Sequence, residues 1–287
     1  MKLVRFDAGP GLDRDWWSTG SRRPSYASKR IRVYSGHRAR GKGSDHSSKD
    51  VPAYRPSPSA GRCKASRSDR ATWHRYLAIG MNYKKHLEEA ERIGVPAPKQ
   101  QLWFNKQTSC LSGPYDDVDP GVSDKLDYEV ELAIVIGMPA KRVTKSDAHN
   151  QSFGHFVAND VSARDWQLHS PTFAVGKSFD AHGPIGLWIV TADEIPDLHA
   201  LDLRCIVNGE LRQSGNTRET IHTVYDQIAY LSTAFTLENG DLLATGTPHG
   251  VGIGMTPPCS SFRAIACVAK SMASVRSRTT FKHKERS

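Results

Sequence analysis

LDYEVELAIVIG, residues 126–137, is the stretch whose reading decides the fold. Its first half alternates polar and apolar positions, and its second half, Ala-Ile-Val-Ile, is apolar on both faces. That is the pattern of a strand that leaves solvent and enters a core, so the spacing predicts one strand over 126–137. Working toward the N-terminus, residues 75–80 read as a short buried strand. Residues 82–92 read as a helix, with Leu87, Ala90 and Ile93 near one face and Pro96 and Pro98 stopping it. Toward the C-terminus, residues 144–153 read as a helix capped by Thr144 or Ser146, and 154–159 as a strand ending at Asp160. Strands are expected at 185–191 and 203–208, the second turning at Asn208-Gly209. A helix is expected over 218–234, with Ile221, Val224, Tyr225, Ile228 and Leu231 on one stripe. A strand at 242–245 leads into a Gly-rich loop that runs to Gly254. Strands outnumber helices without regular alternation, which predicts an α+β fold with a mixed sheet.

The charge divides the 287 residues into three parts. Residues 1–75 hold 18 Lys/Arg against 6 Asp and no Glu, and 259–287 hold 7 Lys/Arg against 1 Glu. The whole chain is +9, so residues 76–258 are acidic at −9. The first 75 residues contain only seven Leu, Ile, Val or Phe, too few to build a core. Two basic, Ser- and Arg-rich ends could be nucleic-acid arms, which makes a basic-tailed nucleic-acid-binding protein the alternative function. Neither interleaved aromatics nor RGG-like repeats accompany the charge, so the composition favours solvated tails and no nucleic-acid partner. Five cysteines without a C-x-x-C exclude a disulfide scaffold and a zinc ribbon. No apolar run reaches the length of a membrane span, and the N-terminal residues lack a signal-peptide core. These features place the chain in the cytoplasm with no membrane partner.

Three constellations carry chemistry. Glu129 and Glu131, two apart on a strand, point to one face. Like charges that close on a strand entering a core repel, and a divalent cation with hard oxygen ligands relieves them; Asp160, at a strand end, is the natural third acid. The common fate of E-x-E is instead a solvated polar face, and spacing alone leaves both open. His86 and Glu89, three apart on a helix, share a face, as a water-activating base and its orienting carboxylate would; a surface ion pair has the same spacing. TGTPHGVGIG at 245–254 lacks the G-K-[ST] ending of a phosphate loop and reads as a tight ligand-facing loop or a structural turn.

Five motifs in order then resemble the fumarylacetoacetate hydrolase family, in its C-terminal catalytic domain. They are IGMNY at 79–83 followed by His86 and Glu89, DYEVEL at 127–132, NDVSARD at 159–165, GKSFD at 176–180 and TGTP at 245–248. The resemblance runs over 76–258 and implies a mixed β-roll with short peripheral helices, a homodimer, and Mg²⁺ (or Mn²⁺, Ca²⁺) held by Glu129, Glu131 and Asp160. It implies a hydrolase or lyase acting on a small 2-oxo or 1,3-diketo acid, by C–C bond hydrolysis, decarboxylation or isomerisation through a metal-stabilised enolate. It implies His86 and Glu89 as the water-activating pair on a lid helix, and Lys177 and the Thr247 hydroxyl where negative charge develops. Arg164, Gln167 and Gly246 would contact substrate, the first two at its far end.

After Pro258 the sequence departs from the family, which would continue with a Gly-Asp turn and a strand pair. Codons permitted by residues 263–284, read one frame over, spell Gly-Asp-Arg-Val-Arg-Cys-Glu-Ile-Asp-Gly-Ile-Gly, with Met272-Ala273 forcing a Gly. The same shift over 12–20 gives a shorter match to a family hairpin, with Trp16 and Trp17 forcing Leu and Val. Both ends are therefore expected to be out of frame and without regular structure, leaving 76–258 as the compact catalytic domain and the activity impaired.

Overall fold

The computed structural model describes residues 2–4, 74–186, 188–258, 264–269 and 275–281. The strands are β1 (Lys2–Val4), β2 (Tyr76–Gly80), β3 (Leu102–Lys106), β4 (Leu111–Ser112), β5 (Asp117–Val118), β6 (Leu126–Asp127), β7 (Val130–Ile136) and β8 (Ser152–Asn159). They continue with β9 (Ser162–Ala163), β10 (Gly183–Pro184), β11 (Trp188–Thr191), β12 (Asp202–Val207), β13 (Glu210–Asn216), β14 (Leu242–Ala244), β15 (Ala264–Ala269) and β16 (Val275–Phe281). Three short helices accompany them: α1 (Lys84–Arg92), α2 (Arg164–Gln167) and α3 (Val224–Ala234). The main sheet runs β1-β11-β8-β7-β14-β2-β3 and is mixed, with β14 and β2 parallel and the other neighbours antiparallel. A second sheet runs β13-β12-β15-β16-β5. The α+β class with a mixed sheet stands.

β7 is the spine. Val130, Leu132, Ile134 and Ile136 pack with Leu203, Cys205, Val207 from β12 and Ile228 and Leu231 from α3. Ala133 and Val135, on the opposite face, pack with Tyr76, Ala78, Phe156 and Ala244. Glu131 is in phase with this second face, so its carboxylate is carried into the interior by the same alternation that buries Ala133.

Several expectations need correction. The strand expected over 126–137 is two, β6 and β7, because Tyr128 N–H donates to the Asp127 carboxylate (2.8 Å) and Glu129 N–H to Asn159 Oδ1 (2.9 Å) instead of to a ladder. The helix expected at 144–153 is a single 3₁₀ turn, Ala148–Gln151, followed by β8. There Thr144 Oγ1 bonds the Asp147 carboxylate (2.6 Å) and accepts from Asp147 N–H (3.3 Å), a side-chain turn that competes with a helical start. The helix expected from 218 begins at Val224, where Thr223 and Asp226 form a capping box, and Ile221 is 44 % exposed rather than part of the stripe.

The ends also differ from expectation. Residues 259–287 are not without regular structure: β15 pairs antiparallel with β12 from Leu203↔Ala269 to Val207↔Ile265, and β16 pairs with β15 and β5. Strand pairing is a backbone property, and the open edge of β12 accepts any extended segment whose N–H and C=O groups reach it. AIACVA at 264–269 is the uncharged run of that tail. Lys2–Val4 likewise extends the main sheet beside β11, so the folded unit is wider than 76–258. The expectation for residues 5–73 lies outside the described residues.

Two buried histidines give the fold a pH dependence. Burial pushes His155, in β8, down to about 4, with His199 adding to the effect. Burial does the same to His182, down to about 4, with Lys106 pushing the same way and its bond to the Asp119 carbonyl opposing. Both stay neutral in the folded chain while the unfolded chain protonates them near the ordinary 6.5, so the unfolded state binds more protons below that pH. Their contribution is complete above about 6.5 and is lost between about 6.5 and 4, up to ~3 kcal/mol each. Urea midpoints should fall steadily across that window, and His155→Gln should flatten the fall relative to the parent. A parallel fall in both proteins would contradict the assignment.

Candidate active site

The carboxylate cluster sits where β7 and β8 meet. Asp160 N–H donates to the Glu129 carbonyl (2.8 Å), which sets the two residues side by side. One carboxylate oxygen from each of Glu129, Glu131 and Asp160 lies within 4.8 Å of the others, and all three residues are buried. Lys177 Nζ bridges Glu129 (2.7 Å) and Asp160 (2.8 Å). Lys106 Nζ contacts the other Asp160 oxygen at 2.5 Å and donates to the His182 carbonyl. Arg164 is ion-paired with Glu129 (2.6 Å) and Asp127 (2.9 Å) and donates to Gln167 Oε1 (2.8 Å).

The charges do not balance. Lys106, Arg164 and Lys177 face four carboxylates: Asp127, Glu129, Glu131 and Asp160. Burial would push Glu129 up, but Lys177 and Arg164, with His86 behind them, outweigh it and hold the carboxyl below the usual range. Glu131 goes the other way. Burial first, then Asp160 and Glu129, push it well above the usual range, against weaker help from Lys177 and the Gly246 N–H. No ion pair reaches Glu131 among the described residues; its partner is the Gly246 N–H at 2.8 Å. A buried carboxylate without a cation, beside two others at bonding radius, is what a divalent ion with hard oxygen ligands would complete.

The loop at 245–254 is stitched back along β7. Thr245 N–H and Oγ1 donate to the Leu132 carbonyl, and Thr247 Oγ1 donates to the Val130 carbonyl (2.9 Å) while accepting from Gln213 Nε2 (2.8 Å). Gly246 has φ +101°, and a Cβ there would stand 2.7 Å from the Asn82 Cβ, so only glycine brings its N–H onto Glu131. Gly252 and Ile253 N–H groups donate to Asp127, tying the loop to Arg164 through one carboxylate.

α1 closes the cavity from the other side. His86 Nδ1 and Glu89 Oε2 are 3.0 Å apart, and Glu89 accepts from Gly250 N–H (3.1 Å). One cavity is lined by His86, Glu89, Glu129, Glu131, Lys177 and Thr247 together with Arg164 and Gln167. The structure thus brings all ten expected residues together: the eight cavity residues just named, Asp160 on Lys177, and Gly246 on Glu131.

Three expectations change in detail. Gly246 does not line the cavity and holds Glu131 instead. The Thr247 hydroxyl proton is directed to the Val130 carbonyl rather than into the cavity. Arg164 lies at the carboxylate end, not the far end, because Asp127 and Glu129 hold its guanidinium there. Lys106 was not anticipated, yet it is fully buried on Asp160; its sequence signal is being two residues from buried Phe104 in a strand, on the inward face.

Residues 75–282 match the sequence profile of the family described as Fumarylacetoacetate (FAA) hydrolase C-terminal. The chain belongs to this family. Two Burkholderia proteins named only as hydrolases, from B. multivorans and B. cenocepacia, are 48 % and 47 % identical over 185 residues. Those matches span 64 % of this chain and 64 % of each relative's length. The fumarylacetoacetate hydrolase of Exiguobacterium antarcticum superposes with a TM-score of 0.65 at 35 % identity, covering 73 % of this chain and 75 % of that one. The 5-carboxymethyl-2-hydroxymuconate delta-isomerase of Mycobacterium smegmatis gives 0.63 at 32 % identity, covering 75 % and 81 %. The 2-hydroxyhepta-2,4-diene-1,7-dioate isomerase of Mycobacterium marinum gives 0.62 at 31 %, covering 74 % and 77 %. No helix among the described residues is long and apolar enough to cross a membrane.

Proposed function

We propose that this family member is a divalent-cation-dependent enzyme that hydrolyses a C–C bond in a small 2-oxo or 1,3-diketo acid. The observation that carries this reading is the convergence of Glu129, Glu131 and Asp160 in a cavity whose facing wall presents the His86–Glu89 pair. Mg²⁺ or Mn²⁺ held by the three carboxylates would supply Lewis acidity toward the acid's carboxylate and keto oxygens.

The chain's own groups do the rest. Glu89, fixed by Gly250 N–H, holds His86 through Nδ1 and leaves Nε2 to take a proton from water. The water oxygen adds to the distal carbonyl carbon, and the adjacent C–C bond breaks. Its electron pair passes to the fragment bearing the keto acid, which takes back the proton from His86. Lys177, pinned between Glu129 and Asp160, contributes fixed positive charge and does not need to move. Isomerisation by proton transfer through the same His86 is the second reading, favoured by the names of two solved relatives.

Two measurements test the proposal. A panel of acylpyruvates and dienoic 2-oxo acids, with and without Mg²⁺ or Mn²⁺, should show metal-dependent loss of the diketo absorbance; turnover unaffected by chelator would refute it. The cation should also raise Tm at neutral pH, by ~5–10 °C at a concentration about 100-fold above Kd. Glu131→Gln, which puts a neutral amide where ionisation of the carboxyl is already disfavoured, should lose most of that rise while melting no lower than the metal-free parent. An undiminished rise in Glu131→Gln would remove Glu131 from the ligand set.

A further inference from the structure

Apolar side chains outnumber charged ones in the cavity lining. His86, Glu89 and Ala90 on α1, and Ile93 at its C-cap, stand at helical spacing and all line it. His86 to Ile93 is seven residues, ~10 Å of rise. Past Ile93 the lining takes in Val95 and Leu102, and Leu168 and Phe173, beyond α2, add to its apolar part. Leu168 is 73 % exposed and Ile93 47 %, an apolar mouth that water covers when nothing else does.

Each lysine or arginine lining the cavity is already engaged. Arg164 has Nε on Asp127, Nη1 on Gln167 and Nη2 on Glu129. Lys177 Nζ is shared by Glu129 and Asp160. The cations of α1, Lys84, Lys85 and Arg92, are off the cavity face. Among the described residues no unengaged lysine or arginine lines the cavity.

Resting on the proposed chelation of a 2-oxo acid at the carboxylate cluster, we infer that this site selects acids whose far end is an uncharged alkyl or aryl group over those ending in a second carboxylate. A distal carboxylate would lose water against Ile93, Val95 and Leu102 with no unengaged cation to replace it. An alkyl tail gains from the same wall, roughly fourfold in affinity for each methylene buried.

Calorimetry on the full chain with Mg²⁺ tests this with three probes: oxalate, 2-oxooctanoate and 2-oxooctanedioate. The two long acids share chain length and differ only at the far end. 2-Oxooctanoate should bind about tenfold or more tighter than the dioate. Leu168→Arg, at an exposed position, should narrow that ratio by about tenfold through a new cation at the mouth. Equal or tighter binding of the dioate by the parent chain, or no binding of either long acid, overturns the inference. Oxalate has no tail and reports the carboxylate end alone. If oxalate fails to bind while 2-oxooctanoate binds, the chelation reading falls and the tail selectivity stands.

Discussion

Replacing His86 by alanine should lower turnover by ~10²–10⁴ while leaving the Mg²⁺-induced rise in Tm unchanged. In the proposed reaction the imidazole has one task. Its Nδ1 is 3.0 Å from Glu89, which is itself tied to Gly250 N–H, and no described residue engages Nε2. The ring lines the cavity opposite the three carboxylates and is not one of them. Loss of a positioned base therefore falls on kcat, with the cation still bound. Glu89→Gln tests the tautomer. With its amide oxygen accepting from Gly250 N–H, its NH₂ faces Nδ1 and forces the ring proton onto Nε2, which can then take none from water. Glu89→Gln should therefore lose nearly as much turnover as His86→Ala and keep the Mg²⁺-induced rise in Tm. Unchanged turnover in His86→Ala would leave the reaction without this base, and a lost Tm rise would make His86 a ligand.

The parts of this site that the sequence exposes are those whose geometry is local. Glu129-x-Glu131 is legible because a strand puts alternate residues on one face, and His86-x-x-Glu89 because a helix does the same at three. Asp160 joins them only through the pairing of β7 with β8, where Val130 faces Asn159. A single sequence carries that pairing as a motif resemblance, not as a spacing. Lys106 is invisible for the same reason: its partner is 54 residues away, and one lysine in LWFNKQT has no local mark beyond its phase with Phe104.

Local structure failed to be legible where side chains compete with the backbone. Thr144 and Asp147 look like a helix start and instead close a turn on themselves. Thr223 and Asp226 carry the real capping signature, T-x-x-D, which moves the start of α3 six residues from the expected 218. At the C-terminus, charge at nearly every second residue of 276–286 argued against a strand, yet alternation at two is itself compatible with one. What decides there is the sheet: β12 offers its edge to β15, and β16 is then paired between β15 and β5.

Lys106→Met should destabilise the protein strongly, and its damage should be repaired by metal. The lysine side chain is fully buried, its Nζ on Asp160 and on the His182 carbonyl, and methionine keeps its length while deleting the charge. Removing one partner of a buried ion pair leaves the other desolvated, at a cost of ~3–5 kcal/mol. For a chain of this size that corresponds to a Tm lower by roughly 6–20 °C without added cation. Lys177 still holds the second Asp160 oxygen, which keeps the loss toward the lower part of that range. A divalent ion bound by Asp160 replaces the missing positive charge, and the repulsion between Nζ and that ion has gone. The Mg²⁺-induced rise in Tm should therefore be larger in Lys106→Met than in the parent. A structural lysine unrelated to the cation would give the same low Tm with an unchanged metal response. Melting curves of both proteins with chelator and with Mg²⁺ distinguish the two: equal metal-induced shifts would make Lys106 a packing element of the β3–β8 region, and a larger shift in the variant makes it the charge that holds Asp160 in place until the cation arrives.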